Sequence, residues 1–295
     1  IGMVLPPITA ASSRRSPRAL LERAVLQHKR RGAQVIFWDV DAPATLDRLH
    51  HDAHDPFHAC VPEYDLVLTY GGGEAVVRAY RALGARRCVP IYNALDPEEH
   101  RPVPKDARFA GLLGFMASRL PDREARVEEF FFNAARRLPD ERFVLGGTGW
   151  SERALPPNVH TVGHVFTRDH NAFNVSPRAI LNVNRDSMAR YGFSPPTRIF
   201  EAAGAGACIV TDRWDGIELF LEPEREILVA GSGAELADQL AALSEERAAK
   251  IGQAAQRAVL DKHTYAQRVL QLEAALAGST PAQHAAALAS EGAAS

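Results

Sequence analysis

Cysteine is scarce: Cys60, Cys88 and Cys208 are the only three, scattered and without Cys-x-x-Cys spacing. That argues against a disulfide framework and a cysteine zinc site, and it makes a reducing cytoplasm the expected compartment. Long apolar runs are missing as well, so no transmembrane segment is expected. Charge is not one-sided, since 34 basic and 36 acidic side chains leave a formal net charge of -2. Binding of nucleic acid over a general basic surface is therefore not indicated, although a local basic pocket is compatible with this balance. An internal repeat is lacking. So is the spaced Gly-x-Gly-x-x-Gly of a dinucleotide fingerprint, which argues against a nicotinamide cofactor. The sequence starts on Ile1, as a fragment of a longer chain would, and its apolar residues 1–11 lack the basic stretch of a secretory leader. What is present is an ordinary globular composition, 46% hydrophobic and 24% charged, over 295 residues. That length suits two medium domains.

The first hundred residues alternate helix and strand. Apolar spacing predicts a helix over 18–31, closed by Gly32, and a strand over 34–40. A second strand at 66–70 runs through Gly71-Gly72-Gly73 into a helix at 74–83, and a third strand covers 87–92. Three glycines between strand and helix allow close backbone approach to a ligand. The first strand ends in Asp39-Val40-Asp41-Ala42-Pro43, where carboxylates can serve catalysis, hold a divalent metal, or cap the next segment. His50, His51, His54 and His58 do not form a zinc motif, because Pro56 interrupts the helix that such ligands need. The passage Asn93-Ala94-Leu95-Asp96-Pro97 through His100-Arg101-Pro102 reads as a linker, with the boundary near Pro104. The expected domains are thus 1–104 and 105–277, followed by a small, Ala-rich flexible tail at 278–295.

In the second half, a strand at 109–115 leads to Arg119 and a capped helix reaching Leu138. A strand running into a Gly-rich turn covers 142–150 and a strand and loop cover 159–165, then a short helix at 168–173 and a strand at 179–184 follow. A last strand is expected at 226–230, and helices at 235–243, 245–260 and 264–276. The densest chemistry lies in Ser194-Pro195-Pro196-Thr197-Arg198-Ile199-Phe200-Glu201, a loop entering a helix, followed by the turn Gly204-Ala205-Gly206 and a buried strand. The helix N-terminus offers free N–H groups and a partial positive charge to a phosphate. Arg198 adds a charge-assisted contact, and Glu201 can accept from two sugar hydroxyls. The alternative is an ordinary surface Arg–Glu pair.

With Trp214-Asp215-Gly216-Ile217-Glu218 and Phe220 behind it, this stretch resembles the donor half of a GT-B glycosyltransferase. The resemblance is to the CgeB-like (spore-maturation-protein-like) branch, with a second domain similar to glycosyl transferases of group 1, or family four. It implies an α/β chain of two Rossmann-like domains facing across a cleft, the N-terminal one shortened relative to that branch. It further implies an enzyme of the hexosyltransferase type (EC 2.4) that uses a nucleoside diphosphate sugar as donor and requires neither metal nor other cofactor. The acceptor would be a glycan, a protein or a small molecule. Family-four enzymes carry two glutamates separated by seven residues. Glu201 falls on the second, which binds the nucleotide ribose, whereas the first falls on Phe193, which has no carboxylate. Arg119 matches an arginine set against the diphosphate, alongside Thr197 and Arg198. Backbone at Gly163, His164 and Val165 corresponds to the part that meets the base. Asn184, Arg185 and Tyr191 line the donor pocket, and Trp214 and Asp215 shape its floor. The triple glycine would line the acceptor side. An inverting enzyme would use Asp39 or Asp41 as general base; a retaining one needs none. A nucleotide-sugar epimerase on the same architecture and a non-catalytic binding or scaffold protein are the alternatives.

Overall fold

A parallel strand pair needs a crossover of a dozen or more residues, and helices supply it throughout this chain. The computed structural model describes residues 17–279 and Gln283. Most of the expected tail at 278–295, and the apolar start at 1–11, lie outside the described residues. The chain divides into two units. One ends at Tyr92 and takes back Tyr191–Ser194, and the other holds Asn93–Arg190 and continues from Pro195.

In the first unit, β1 (Ile36–Asp39), β2 (Leu66–Thr69) and β3 (Cys88–Pro90) form a parallel sheet in that order. Three helices accompany it: α1 (Pro17–Gln27), α2 (Ala42–His51) and α3 (Gly73–Ala82). Alternation along β1 sends Phe37 inward, 4.6 Å from Phe57 and 5.5 Å from Tyr64, and leaves Trp38 exposed. Asp39 shares the inward face. Its Oδ1 accepts from the Asp41 N–H and the Thr45 hydroxyl, each at 3.1 Å, and its Oδ2 accepts from the Tyr80 hydroxyl. This buried carboxylate ties the end of β1 to α2 and α3.

The triple glycine also serves the fold. Gly72 and Gly73 have φ of 84° and 49°, and a Cβ on Gly73 would stand 2.7 Å from Phe193 Cβ. The Gly72 N–H donates to the Phe193 carbonyl at 2.8 Å, so the close approach is made by the returning segment of the same chain. Phe193 adopts φ 46°, a left-handed conformation that disfavours a side chain by about 1–2 kcal/mol. Tyr191 belongs to this unit as well, its hydroxyl donating to Asp47 at 3.2 Å.

The second unit is built on a six-stranded parallel sheet of order β6-β5-β4-β7-β8-β9. These strands are β4 (Leu113–Met116), β5 (Phe143–Gly146), β6 (Val159–Gly163), β7 (Ala179–Asn182), β8 (Ile209–Asp212) and β9 (Leu228–Ala230). After β4, α4 (Pro121–Val127) continues through a π-helical turn at Glu128–Phe132 into α5 (Asn133–Arg137). The wider turn shifts the helical phase, and Phe130, Phe131 and Phe132 are all buried in one core with Phe115 and Phe143. The remaining helices are α6 (His170–Val175), α7 (Asp186–Tyr191), α8 (Thr197–Gly204), α9 (Gly233–Ala242), α10 (Glu245–Lys262) and α11 (Tyr265–Ala277). Ser232, Ser244 and Thr264 cap the last three by accepting from the N–H three residues on, which fixes where each helix starts.

The linker joins the second unit earlier than the expected boundary near Pro104. Leu95 donates to the His263 carbonyl at 2.7 Å and accepts from the Tyr265 N–H at 3.0 Å. Arg268 is buried, and its Nη2 donates to His263 Nδ1 at 2.9 Å. His263 lies 5.6 Å from the Phe200 ring and 5.7 Å from that of Phe220. Burial, followed by the charges of Arg268 and Lys262, pushes its pKa down from 6.5 to about 4.

Two outcomes are expected. Between pH 6.5 and about 4 the unfolded chain binds a proton at His263 that the folded chain refuses. Stability should therefore fall on acidification through that window, by roughly 3 kcal/mol at about 1.4 kcal/mol per pH unit. His263→Phe should show a shallower slope in urea titrations at stepped pH; an unchanged slope would contradict the assignment. Tyr80→Phe removes one donor from a buried carboxylate and should lower stability by about 1.5–3 kcal/mol in the same assay.

Candidate functional site

In a sheet of this order the chain leaves β4 and β7 in opposite directions, so the loops after those strands flank a crevice at their C-terminal ends. The loop after β4 carries Arg119 and leads to Arg123 in α4. Arg119 is already engaged: its Nε and Nη2 donate to Glu124 at 3.1 and 2.7 Å, and that carboxylate also receives Arg153 at 2.9 Å. The Glu124 contact raises the arginine's pKa and lowers that of the carboxyl. Arg123 differs. Its Nη2 donates to the Ser118 carbonyl at 2.9 Å, its guanidinium lies 5.8 Å from the Phe115 ring centroid, and its Nε is buried without a hydrogen-bond partner. Burial lowers its pKa. Arg123, four residues beyond the expected Arg119, was not singled out by sequence because any arginine in Asp122-Arg123-Glu124 reads as a surface helix charge.

The second cation comes from α8, whose first turn begins at Thr197 after the extended N-cap Pro196. Arg198 Nη1 is buried without a hydrogen-bond partner. Burial pushes its pKa down, Glu201 opposes that shift, and the positive charge of Arg123 adds to it. The charge of Arg123 thus acts on a cation in the first turn of an eight-residue helix. Such a place favours an anion. Glu201, one turn on, is partly exposed, and its Oε1 lies 3.9 Å from His100 Nε2. His170 is a further neighbour: its Nε2 lies 3.2 Å from the Val165 carbonyl, and Arg198, Glu201 and His100 all act on its charge. Neither histidine was predicted, and a lone His in a linker or in a six-residue helix leaves no periodic signal.

Of the stretch Gly163-His164-Val165, the carbonyl of Gly163 accepts from the Gly147 N–H at 2.7 Å and that of Val165 faces His170. Gly163 has φ 67° and open space where a Cβ would stand, while the exposed His164 ring meets Phe166 edge-on at 4.7 Å. Asn184 is buried at the end of β7; its N–H donates to Asp212 Oδ1 at 3.1 Å, and its Nδ2 is buried without a hydrogen-bond partner. Asp212 also receives Arg126, forming a buried ion pair, and burial nonetheless pushes its pKa up. Arg185 is held by Asp122. Trp214 is buried with its Nε1 3.4 Å from Thr211 Oγ1 and its ring 6.1 Å from Phe220, so it packs the core behind β8, while Asp215 is exposed. The structure therefore brings together Arg198, Glu201, Thr197 and the unpredicted Arg123, His100 and His170. It places Asp39, Asp41 and Tyr191 in the first unit. Among the described residues, no group of three or more His, Cys, Asp or Glu side chains is arranged to hold a metal ion.

Known structures share this architecture. Anabaena HepE in complex with UDP and glucose superposes with a TM-score of 0.63 at 16% identity, over 83% of this chain and 72% of its own. Sucrose-phosphate synthase from Thermosynechococcus elongatus gives 0.66 at 14% identity, over 88% and 71%. T4 phage BGT in complex with its UDP-glucose substrate gives 0.54 at 12% identity, over 86% and 75%. At such identities the likeness establishes the fold, which is GT-B. No curated protein sequence matches the chain. Residues 123–274, just over half of the 295, match the glycosyl transferase-like family and span Arg123, His170, Arg198 and Glu201. The chain belongs to that family.

Proposed function

We propose that this protein transfers a hexosyl group from a nucleoside diphosphate sugar, with UDP as the preferred nucleotide, to an acceptor hydroxyl. The observation that carries this reading is the pair of half-buried guanidiniums of Arg123 and of Arg198 in the first turn of α8, each with a buried nitrogen that has no hydrogen-bond partner. The donor diphosphate lies against both, with the N–H groups of Thr197 and Arg198, and Glu201 accepts from the ribose. The base sits along Gly163-His164-Val165, and Asn184 faces the sugar side. As the bond from the anomeric carbon to the diphosphate oxygen breaks, negative charge builds on the leaving group. The two arginines stabilise that charge in the transition state without requiring a metal. The acceptor oxygen bonds to the same carbon, and its proton passes to Asp41 if the reaction inverts, or to the leaving diphosphate if it retains. The motif around Pro195-Pro196 and Asp39-x-Asp41-x-Pro43 supports the CgeB-like branch, and use of a nucleotide sugar with three free cysteines supports the cytoplasm. A second reading, a protein that binds donor without transferring it, is favoured by the small first unit, whose sheet among the described residues has three strands.

A ligand that binds only the folded chain must raise its melting temperature. At a hundredfold excess over Kd, UDP should raise it by about 5 °C, and EDTA should not change that. Arg123→Ala, Arg198→Ala and Glu201→Ala should each weaken UDP binding about tenfold or more, whereas Arg119→Ala should leave it within about twofold. No shift with UDP, GDP, ADP, CMP or dTDP would overturn the donor site. Release of UDP from UDP-glucose only when acceptor glycans are added would separate a transferase from an epimerase and from a binding protein.

A further inference from the structure

The ends of β7 and β8 carry a buried polar network whose hydrogens can be followed from donor to acceptor. Asn182 closes β7, and its Nδ2 donates to Thr211 Oγ1 at 3.0 Å and to Asn184 Oδ1 at 3.3 Å. Thr211 Oγ1, which also lies 3.4 Å from Trp214 Nε1, donates its own hydrogen to Asp212 Oδ1 at 3.2 Å. Asp212 Oδ1 accepts in addition from the Asn184 N–H at 3.1 Å, and Asp212 Oδ2 accepts from Arg126 Nη2. This order fixes the Asn184 amide. Turned over, it would set its NH2 against that of Asn182, two donors face to face. Oδ1 therefore looks back to Asn182, and Nδ2 is the end turned away from the network. Asn184 is 1% exposed, and its Nδ2 has no hydrogen-bond partner. Arg126, bound to the other oxygen of Asp212, has a buried Nε that is unpartnered as well.

Both side-chain atoms that this network leaves buried and unpartnered are thus N–H donors. Arg126 stands one helical turn beyond Arg123 in α4, which sets the network beside the diphosphate site at the C-terminal ends of β7 and β8. The ligand group that suits such a place accepts without donating. A sugar hydroxyl would bring its own hydrogen among donors, where burial makes an unpaired one costly. A carboxylate would be a third anion on one guanidinium, because Arg126 already holds Asp212 and has Asp186 at 3.9 Å. An amide carbonyl is neutral, and its oxygen only accepts. We propose that the transferred sugar is an acetamido hexose whose acetyl carbonyl accepts from Asn184 Nδ2. The proposal rests on the donor-site reading above and deepens it by naming the sugar class. Asp212 and Asn182 have positioning roles, the first by holding the Asn184 backbone and the second by setting its amide the right way round.

The test is calorimetric titration of the full chain with UDP, UDP-glucose and UDP-N-acetylglucosamine. The wild type should bind UDP-N-acetylglucosamine about tenfold more tightly than UDP-glucose, the effect of one hydrogen bond from a buried donor. Asn184→Ala should bring the two sugar nucleotides within about twofold of each other and leave UDP within about twofold of its wild-type affinity. Asn184→Leu keeps the side-chain volume and serves as a second variant if alanine loosens the strand ends; matched melting curves without ligand identify a folded variant. Equal binding of the two sugar nucleotides by the wild type, or tighter binding of UDP-glucose, overturns the acetamido assignment while the donor site stands. A preference that survives in a folded variant shows that Asn184 does not hold the acetyl group. A folded variant that loses UDP as much as UDP-N-acetylglucosamine puts Nδ2 on the diphosphate instead, which also overturns the proposal. If the wild type binds none of the three, the donor-site reading falls and this one with it.

Discussion

Like charges repel most strongly where water is scarce, and the positive charge of Arg123 acts on the half-buried Arg198, each residue keeping one buried nitrogen without a hydrogen-bond partner. Nothing in the folding of the chain benefits from that arrangement by itself. The parallel sheet sustains it. Its strand order brings the β4 and β7 loops to one edge, the buried Arg126–Asp212 pair fixes the end of β8 against α4, and α8 starts at the same edge. A diphosphate would relieve the repulsion and take the open N–H groups of the helix together. The site is thus described by what it does not satisfy internally: Arg123 Nε, Arg198 Nη1 and Asn184 Nδ2 are all buried without a hydrogen-bond partner.

The first unit follows the opposite logic. Its polar groups are largely committed to structure, with Asp39 bonded to Thr45 and Tyr80, Asp55 to Arg48, and His58 set against two backbone carbonyls. Asp41, by contrast, stands partly exposed at the start of α2. A buried carboxylate and a partly exposed one, two residues apart, can therefore hold different roles because strand alternation and the helix start give them different surroundings.

Much of this architecture was legible. The strand expected at 66–70 is β2, that expected at 179–184 contains β7, and the helices at the C-terminal end agree within a few residues, because apolar periodicity and Ser or Thr caps are local signals. The helix carrying Arg198 and Glu201 was legible for the same reason. Three things were not. Arg119 lies in the loop before α4 and Arg123 four residues on in the helix, and the position of Glu124 decides that Arg119 is the one held by a carboxylate. The triple glycine read as a ligand loop because nothing local announces that Phe193 and Ser194 return to fill it. The pairing of Leu95 with residues 263–265 left no local signal because it is a contact between distant parts of the chain.

The most direct measurement is a crystal structure of the protein with UDP bound. The account predicts diphosphate oxygens within about 3 Å of the guanidiniums of both Arg123 and Arg198, the start of α8 directed at the phosphates, and Arg119 still paired with Glu124. A diphosphate bound by Arg119, with Glu124 displaced and Arg123 remote from the ligand, would contradict it.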